Sequence, residues 1–551
     1  MPPPPPPSPE SGEPAAATPA GDKSECLRLL AALPSAAASS PAFRRHWPSI
    51  SASLSSLSSS LSHPAADDAR LLSPLAAALS ALVSVAAAPS SLGHLHTVSL
   101  VSSSAVELSH LAADAKLLVA SSSPSPPEQE VIPRLRLGSA ASRAAALDEI
   151  AAAVASLPPS SAAATASAVA AMLDSGEIPP ASREKTVSFL AATSSLLPRD
   201  AAVAVVPHLC RALESSSSAS AAENACVALA PLTSASRDAA AAVAARGGVG
   251  PLLATCATGT PAAQAAAAHV LRNIAAHADL VNAFLADGDG DDQVNAAAVP
   301  CLLSLVSLGT PRAQEMALAC LTNLTAGDGN DDDRDRIKVE AFQAGALARV
   351  KEFLESCVAG DEPGLAPAFA LLRNMSSFRY IAEIALSSSF VDHAVAAIGC
   401  SESAATRAEA AMALAELISV RTTTRGGVGV GEAVPRLVWM LEAKAVAERE
   451  AAARALAAIV GAGGVYRKVF KKEERGVVNV VRLLDPNNAG AGVDKRFPVA
   501  VLLAVSPSRR CRKQMIAAGA CGFLQNLEVD GAKKLAGYLG RGKMLGVFPR
   551  S

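Results

Sequence analysis

The chain has 551 residues, half of them hydrophobic, only 3% aromatic, with ten cysteines and a formal net charge of −2. That length accommodates several domains or one long array. Alanine dominates the apolar share and favours helix, because it loses no side-chain entropy there; runs of Val, Ile, Thr and Tyr with period two are few, which excludes a large sheet.

The N-terminus, "MPPPPPPSPESGEP", lacks the basic and apolar regions of a secretory signal. Residues 1–24 read as a disordered polyproline tail. Glu10, Glu13, Asp22 and Glu25 argue against an organelle transit peptide. Residues 25–120 carry helical patterns broken by Pro and Ser: "ECLRLLAAL", "FRRHWPSISASLSSLSSSLS", "ARLLSPLAAALSALVSV" and "LVSSSAVELSHLAADAKLLV". They predict a small antiparallel bundle. The apolar run "LAAALSALVSVAAA" (75–88) is too short to cross a bilayer. "SSSPSPPEQE" (121–130) reads as a linker.

From 131 to 547 the sequence repeats. An apolar-Pro-x-Leu signal is expected to open helices at Pro133, Pro207, Pro300 and Pro435, with a variant at Pro251. Proline suits a first helical turn, where its missing N–H has no partner anyway. "GTP" turns at 259–261 and 309–311 end one helix and start the next. Gln264 and Gln314 match, as do Asn273 and Asn323. "AFQAGALARV" (341–350) and "MIAAGACGFL" (515–524) share an AGA kernel that permits a tight corner. A period of roughly 42–51 residues with two or three helices per unit signals an α-solenoid. The expected fold class is therefore all-α, an N-terminal bundle followed by a solenoid.

Three asparagines interrupt apolar helical runs at one period: Asn273 in "HVLRNIAAH", Asn323 in "CLTNLT" and Asn374 in "LLRNMS". Equivalent slots hold Pro231, Glu416, Ala458 and Ala504. A side-chain amide offers two donors and an acceptor, so it can pair with both groups of a peptide unit. The bland alternative is that these amides solvate a groove or bond a neighbouring loop.

Charge is unevenly spread. Residues 461–551 carry 17 Lys/Arg against 6 Asp/Glu. Lys471, Lys472, Arg509, Arg510 and Lys513 are candidate contacts to an acidic partner or membrane. Without interleaved aromatics a nucleic-acid ligand is not expected. The acidic stretches "DGDGDDQ" (287–293) and "DGNDDDRD" (328–335) lack the Gly and Glu of an EF-hand loop. "RGGVGVGE" (425–432) has no GK[ST] and no preceding strand. His94 and His96 have no third ligand near in sequence, and the cysteines form no CxxC pair; Cys226, Cys256 and Cys320 read as small buried hydrophobes in a reducing compartment. No cofactor, metal or small-molecule substrate is expected.

"AQAAAAHVLRNIA" and "AQEMALACLTNLT" resemble the second half of an armadillo repeat, whose third helix ends close to A-x-x-A-L-x-N-L. "FRRHW", the Ser/Leu helix after it and "ELSHLAADAKLLV" resemble the N-terminal region of plant U-box/armadillo proteins, and "VIPRLRLGSAASRAAALDEI" resembles their first repeat. The resemblance implies that third helices line a concave groove, where Asn273, Asn323 and Asn374 face extended peptide segments of partner proteins. It implies a cytoplasmic or nuclear interaction scaffold. The tryptophans that accompany each asparagine in nuclear-import receptors are missing; His269, Ala319 and Ala370 stand there. The further domain that U-box ligases carry has only "SSSPSPPEQE" in its place. A non-enzymatic scaffold is thus expected, with a role in a ubiquitin-ligase pathway as the alternative.

Overall fold

The computed structural model describes residues 23–66, 68–87, 93–120, 127–153, 159–174, 179–215, 218–285, 298–327, 332–357, 362–420, 429–487 and 491–544. The polyproline tail to residue 22, residues 121–126 of the expected linker, the acidic stretch 287–293, residues 328–331 and residues 425–428 lie outside them. The described residues are helical, with no strand among them. The chain forms two compact units, 1–201 and 202–551, and the helix Arg199–Ser215 crosses the division.

The first unit begins with a four-helix bundle: Lys23–Ala38, Trp47–Leu61, Ala69–Ala87 and His94–Ala120. The first helix packs on the third, and the second and third pack on the fourth. Leu29, Leu33, Ile50, Leu57, Leu75, Leu79, Leu82, Leu108 and Leu111 interlock at helical spacing, with Phe43 wholly buried beside them. One expectation is corrected here. Helix Ala69–Ala87 continues N-terminally through Pro74, so Arg70–Ala87 supplies 18 residues of mean hydropathy 1.6, long and apolar enough to cross a membrane. It is one such helix among the described residues, or up to three spans if two sharply bent helix pairs each count as one. Its leucines 71, 72, 75, 79 and 82 are buried in the bundle core.

The bundle continues into helices Pro127–Leu137, Ala140–Ala153, Pro159–Met172 and Pro180–Thr193. The first of these starts inside the stretch expected as linker. A buried carboxylate ties it on: Asp114 Oδ2 accepts from the Ser139 N–H at 3.0 Å, just before helix Ala140–Ala153.

In the second unit, successive repeats place one long helix beside the next. These are α1 (Ala219–Ala235), α2 (Pro261–Ala275), α3 (Pro311–Thr325), α4 (Leu365–Met375), α5 (Ala404–Ser419), α6 (Val446–Ala462) and α7 (Arg496–Val505), each packed on its successor. Helices such as Val249–Thr258, Ala298–Leu308, Ala346–Ser356 and Phe390–Cys400 form a second layer behind them. Shorter elements such as Arg237–Ala245, Asp332–Gln343 and Arg379–Ser387 complete three-element units. The second unit is an α-solenoid.

The punctuation explains the helix starts. Thr260 and Thr310 cap α2 and α3, accepting from Ala263 N–H at 3.1 Å and Ala313 N–H at 3.3 Å, and Pro261 and Pro311 follow at the first helical position. Pro251, Pro300 and Pro435 lie third in their helices, where no intrahelical bond is lost. Pro133 and Pro207 do not open helices: they lie inside Pro127–Leu137 and Arg199–Ser215. The residues before them are helix formers that extend the helix backwards past the proline.

The AGA kernels turn corners as expected. Gly345 (φ 84°) and Gly519 (φ 83°) take the left-handed conformation between the first and second helices of their units. At the matching corner of the unit that follows Gly345 the residue is Ser389, at φ 69°. A side chain there is strained, by roughly 1 kcal/mol or more. A Cβ at Gly345 would meet nothing within 4 Å, so only backbone conformation is at stake. Gly345→Ala is therefore expected to destabilise by about 1 kcal/mol and Ser389→Gly to stabilise by up to about 1 kcal/mol. Denaturation midpoints that moved in the same direction for both variants would contradict this.

Candidate partner-binding surface

The layer α1–α7 buries one face of every helix and leaves the other half-exposed. Its apolar residues recur at three- and four-residue spacing: Leu271, Ile274 and Ala267 in α2, Leu321, Leu324 and Ala317 in α3, all wholly buried. Small alanines at these positions let neighbouring helices approach closely. Between them the asparagines form a ladder. Asn273 donates to the Ala230 carbonyl at 2.9 Å and to the Thr233 hydroxyl at 3.0 Å. Asn323 donates to the Arg272 carbonyl at 3.1 Å. Asn374 donates to the Thr322 carbonyl at 3.0 Å and to the Thr325 hydroxyl at 3.2 Å.

The pattern is regular. Each amide reaches the preceding helix at the residue just before the equivalent slot. A second bond forms where a threonine lies two residues beyond that slot, as Thr233 and Thr325 do. The residue two beyond Asn273 is Ala275, which has no hydroxyl, so Asn323 makes the single bond. The amide oxygens differ in the same sense. Arg272 donates to Asn273 Oδ1 at 3.1 Å, and the Arg373 guanidinium lies beside Asn374 Oδ1 at 3.4 Å. Asn323 is preceded by Thr322, whose hydroxyl is used on Leu318 and Pro367 carbonyls at 2.9 Å each. Asn273 is 5% exposed, whereas Asn323 and Asn374 are half-buried. Asn323 is thus the member of the ladder with donor and acceptor capacity left for solvent.

Ionic contacts continue the same layer beyond the asparagines. Arg373 of α4 pairs with Glu409 of α5 at 2.6 Å. Burial pushes the Glu409 carboxyl up, and Arg373 opposes that. Glu416, in the slot of α5, pairs with Arg454 of α6, whose guanidinium lies 5.5 Å from the Phe497 ring of α7. His269 of α2 is half-buried near Arg272 and Arg312; burial first, then these cations, hold its pKa below the ordinary value. The half-exposed side therefore carries Asn323, Asn374, Arg373 and Glu409.

A device that the sequence reading missed locks the corners. The fourth residue of a helix reaches back to carbonyls of the corner behind it. Gln314 donates to Val306 at 2.9 Å, Arg449 to Ala443 at 2.9 Å and Lys444 at 2.8 Å, and Arg512 to Ser506 at 2.6 Å and Pro507 at 3.0 Å. Arg407 does the same to Ser401 at 3.0 Å and Glu402 at 2.7 Å, and also pairs with buried Glu448 at 2.7 Å. Arg143 repeats the arrangement in the first unit, on Gly138 at 2.7 Å. The match between Gln264 and Gln314 was the one sequence signal of this position.

The basic candidates sit on two helices. Lys471 and Lys472 lie in the last turn of Gly464–Lys472, where a cation complements the helix dipole. Arg509 and Arg510 open helix Arg509–Ala517 and are exposed, as is Lys513 one turn on. His94 and His96 are exposed at the start of helix His94–Ala120, and no cluster of metal-ligating side chains occurs among the described residues. Residues 332–335 of the second acidic stretch open helix Asp332–Gln343, where Asp332, Asp333 and Asp335 suit the positive end of the dipole.

No family of known proteins matches the chain, and no curated protein does. Among solved structures, an engineered protein superposes with a TM-score of 0.59 at 22% identity, over 76% of this chain and 98% of its own. The likeness is one of fold alone. A second engineered protein shares 21% identity over 46% of this chain and 97% of its own, at a TM-score of 0.39.

Proposed function

We propose that the chain is a non-enzymatic scaffold of armadillo type that holds extended segments of partner proteins along the layer α1–α7. The observation that carries this reading is Asn323. Its one internal bond leaves an N–H and the amide oxygen available, at the centre of a layer where Arg272 and Arg373 stand on the neighbouring helices α2 and α4. An amide so placed pairs with both groups of an extended peptide backbone. Asn273 and Asn374 then serve chiefly to hold the layer in register, and side chains between the amides select the ligand. In this reading the basic residues Lys471, Lys472, Arg509, Arg510 and Lys513 attract acidic segments of the same partners.

The test is binding of the full chain to an array of unstructured peptides, followed by titration of the peptides retained. Asn323→Ala is expected to weaken retained peptides by roughly two- to tenfold, the equivalent of one neutral hydrogen bond. An array that retains nothing, or affinities indifferent to Asn323, would overturn the proposal.

A further inference from the structure

Cys256 lies on helix Val249–Thr258 and Cys301 on helix Ala298–Leu308, the second-layer helices of consecutive repeats, which pack on each other. The two residues are 45 apart in sequence, yet the fold brings their thiols close enough to shift each other's protonation. Cys301 Sγ is also 3.5 Å from the Leu253 carbonyl, and Cys256 Sγ is 3.9 Å from that of Gln264. Both cysteines line a cavity of about 370 Å³ with Gln264, Pro300, Ser304 and Leu308. Leu308, at its rim, is exposed. Cys256 is 1% exposed, while Cys301 is half-buried. Both are free thiols in this structure.

We propose that Cys256 and Cys301 form a thiol–disulfide exchange site, at which a low-molecular-weight disulfide converts the pair into a crosslink between consecutive repeats. The accessible Cys301 thiolate attacks one sulfur of the small disulfide. One small thiolate leaves and takes up a proton, and Cys301 is held as a mixed disulfide. Cys256 then gives up its proton to water and attacks the Cys301 sulfur, expelling the second small thiolate, which is protonated in turn. Two protein thiols and one small disulfide become one protein disulfide and two small thiols.

The division of labour follows from the surroundings. The neighbouring Cys256 thiol holds the Cys301 pKa below the ordinary thiol value, against the effect of burial. The same contact, with burial, pushes Cys256 well up. Cys226 and Cys320, both buried nearby, are likewise pushed up, chiefly by burial, Cys226 to about 12. Cys301 is therefore the nucleophile and Cys256 the resolving thiol. The crosslink would span α2, which lies between the two cysteines in sequence. It would fix the spacing of the repeats that carry Asn273 and Asn323.

The experiment treats the full chain with oxidised glutathione, alkylates remaining thiols after unfolding, and maps them by peptide mass spectrometry. The expected product is a peptide pair joined through Cys256 and Cys301, with Cys226 and Cys320 alkylated. In Cys256→Ala, Cys301 should accumulate as a stable glutathione adduct. In Cys301→Ala, Cys256 should remain a free thiol. The proposal is overturned if Cys256 and Cys301 both stay alkylatable in the parent chain. It is equally overturned if the parent stops at the Cys301 adduct, or if Cys256 reacts without Cys301. Helical content measured on each variant separates loss of reactivity from loss of fold.

Discussion

Arg407→Ala is expected to destabilise the solenoid by about 3–5 kcal/mol, the cost of breaking a buried ion pair by removing one partner. Arg407 sits fourth in α5, with its side chain 8% exposed, and Glu448 in the first turn of α6 is 4% exposed. The guanidinium meets three demands at once. It neutralises Glu448 at 2.7 Å, satisfies the Ser401 and Glu402 carbonyls that end helix Phe390–Cys400, and lies 5.5 Å from the Trp439 ring. Truncation leaves a carboxylate without its cation inside the junction between two repeats. Lysine is no substitute, because one ammonium cannot cover the fork that holds both carbonyls and the carboxylate. Arg407→Lys should therefore recover only part of the loss. The double variant Arg407→Met, Glu448→Leu should lose much less than the sum of the single losses, since it removes both charges together. Repeat stability is a sum over neighbours, so hydrogen exchange should quicken in α5, α6 and the helices behind them more than in α2. A loss under about 1 kcal/mol for Arg407→Ala would show that the pair is not sealed from water.

Much of this architecture is legible in the sequence because its signals are local. A threonine cap followed by proline announces α2 and α3, and glycine in an AGA kernel announces a left-handed corner. Bond partners across repeats are less legible. The period of Asn273, Asn323 and Asn374 marks a shared position, but spacing does not say whether an amide points to solvent or to the previous helix. That depends on the carbonyl left within reach and on whether a threonine stands two residues beyond the slot. The fourth-residue lock was hidden for another reason. Gln314 and Arg407 differ in charge and length yet reach the same kind of carbonyl, so residue identity does not reveal the common role. The starts of helices Pro127–Leu137 and Arg199–Ser215 were misplaced because the rule for proline in a first turn ignores how strongly the preceding residues propagate helix. The apolar run weighed against a bilayer starts at residue 75, whereas the helix that contains "ARLLSPLAAALSALVSV" carries its buried leucine stripe on both sides of Pro74.

The asparagine ladder makes the second large expectation. Asn273→Ala should destabilise by roughly 1–3 kcal/mol, because a 95% buried amide is lost together with bonds to the Ala230 carbonyl, the Thr233 hydroxyl and the Arg272 guanidinium. Asn374→Ala removes the same set of bonds from a half-buried site, where water can replace part of them, so its loss should be smaller. Asn323→Ala removes one internal bond and should cost about 0.5–1 kcal/mol. Partner affinity should run in the opposite order. Asn323 has the spare capacity and Asn273 has none, so peptide binding should fall with Asn323→Ala and persist with Asn273→Ala once the protein is folded. Thr233→Val discriminates further. It keeps the shape of the side chain but takes away the acceptor at 3.0 Å, so it should weaken Asn273 alone and leave the Asn323 site as it was. Chemical denaturation and peptide titration on the same four variants read both orders. If stability fell equally at Asn273 and Asn323, the threonine rule would fail. If affinity fell at Asn273 but not at Asn323, internal bonding would not be what assigns one asparagine to the layer and another to the ligand.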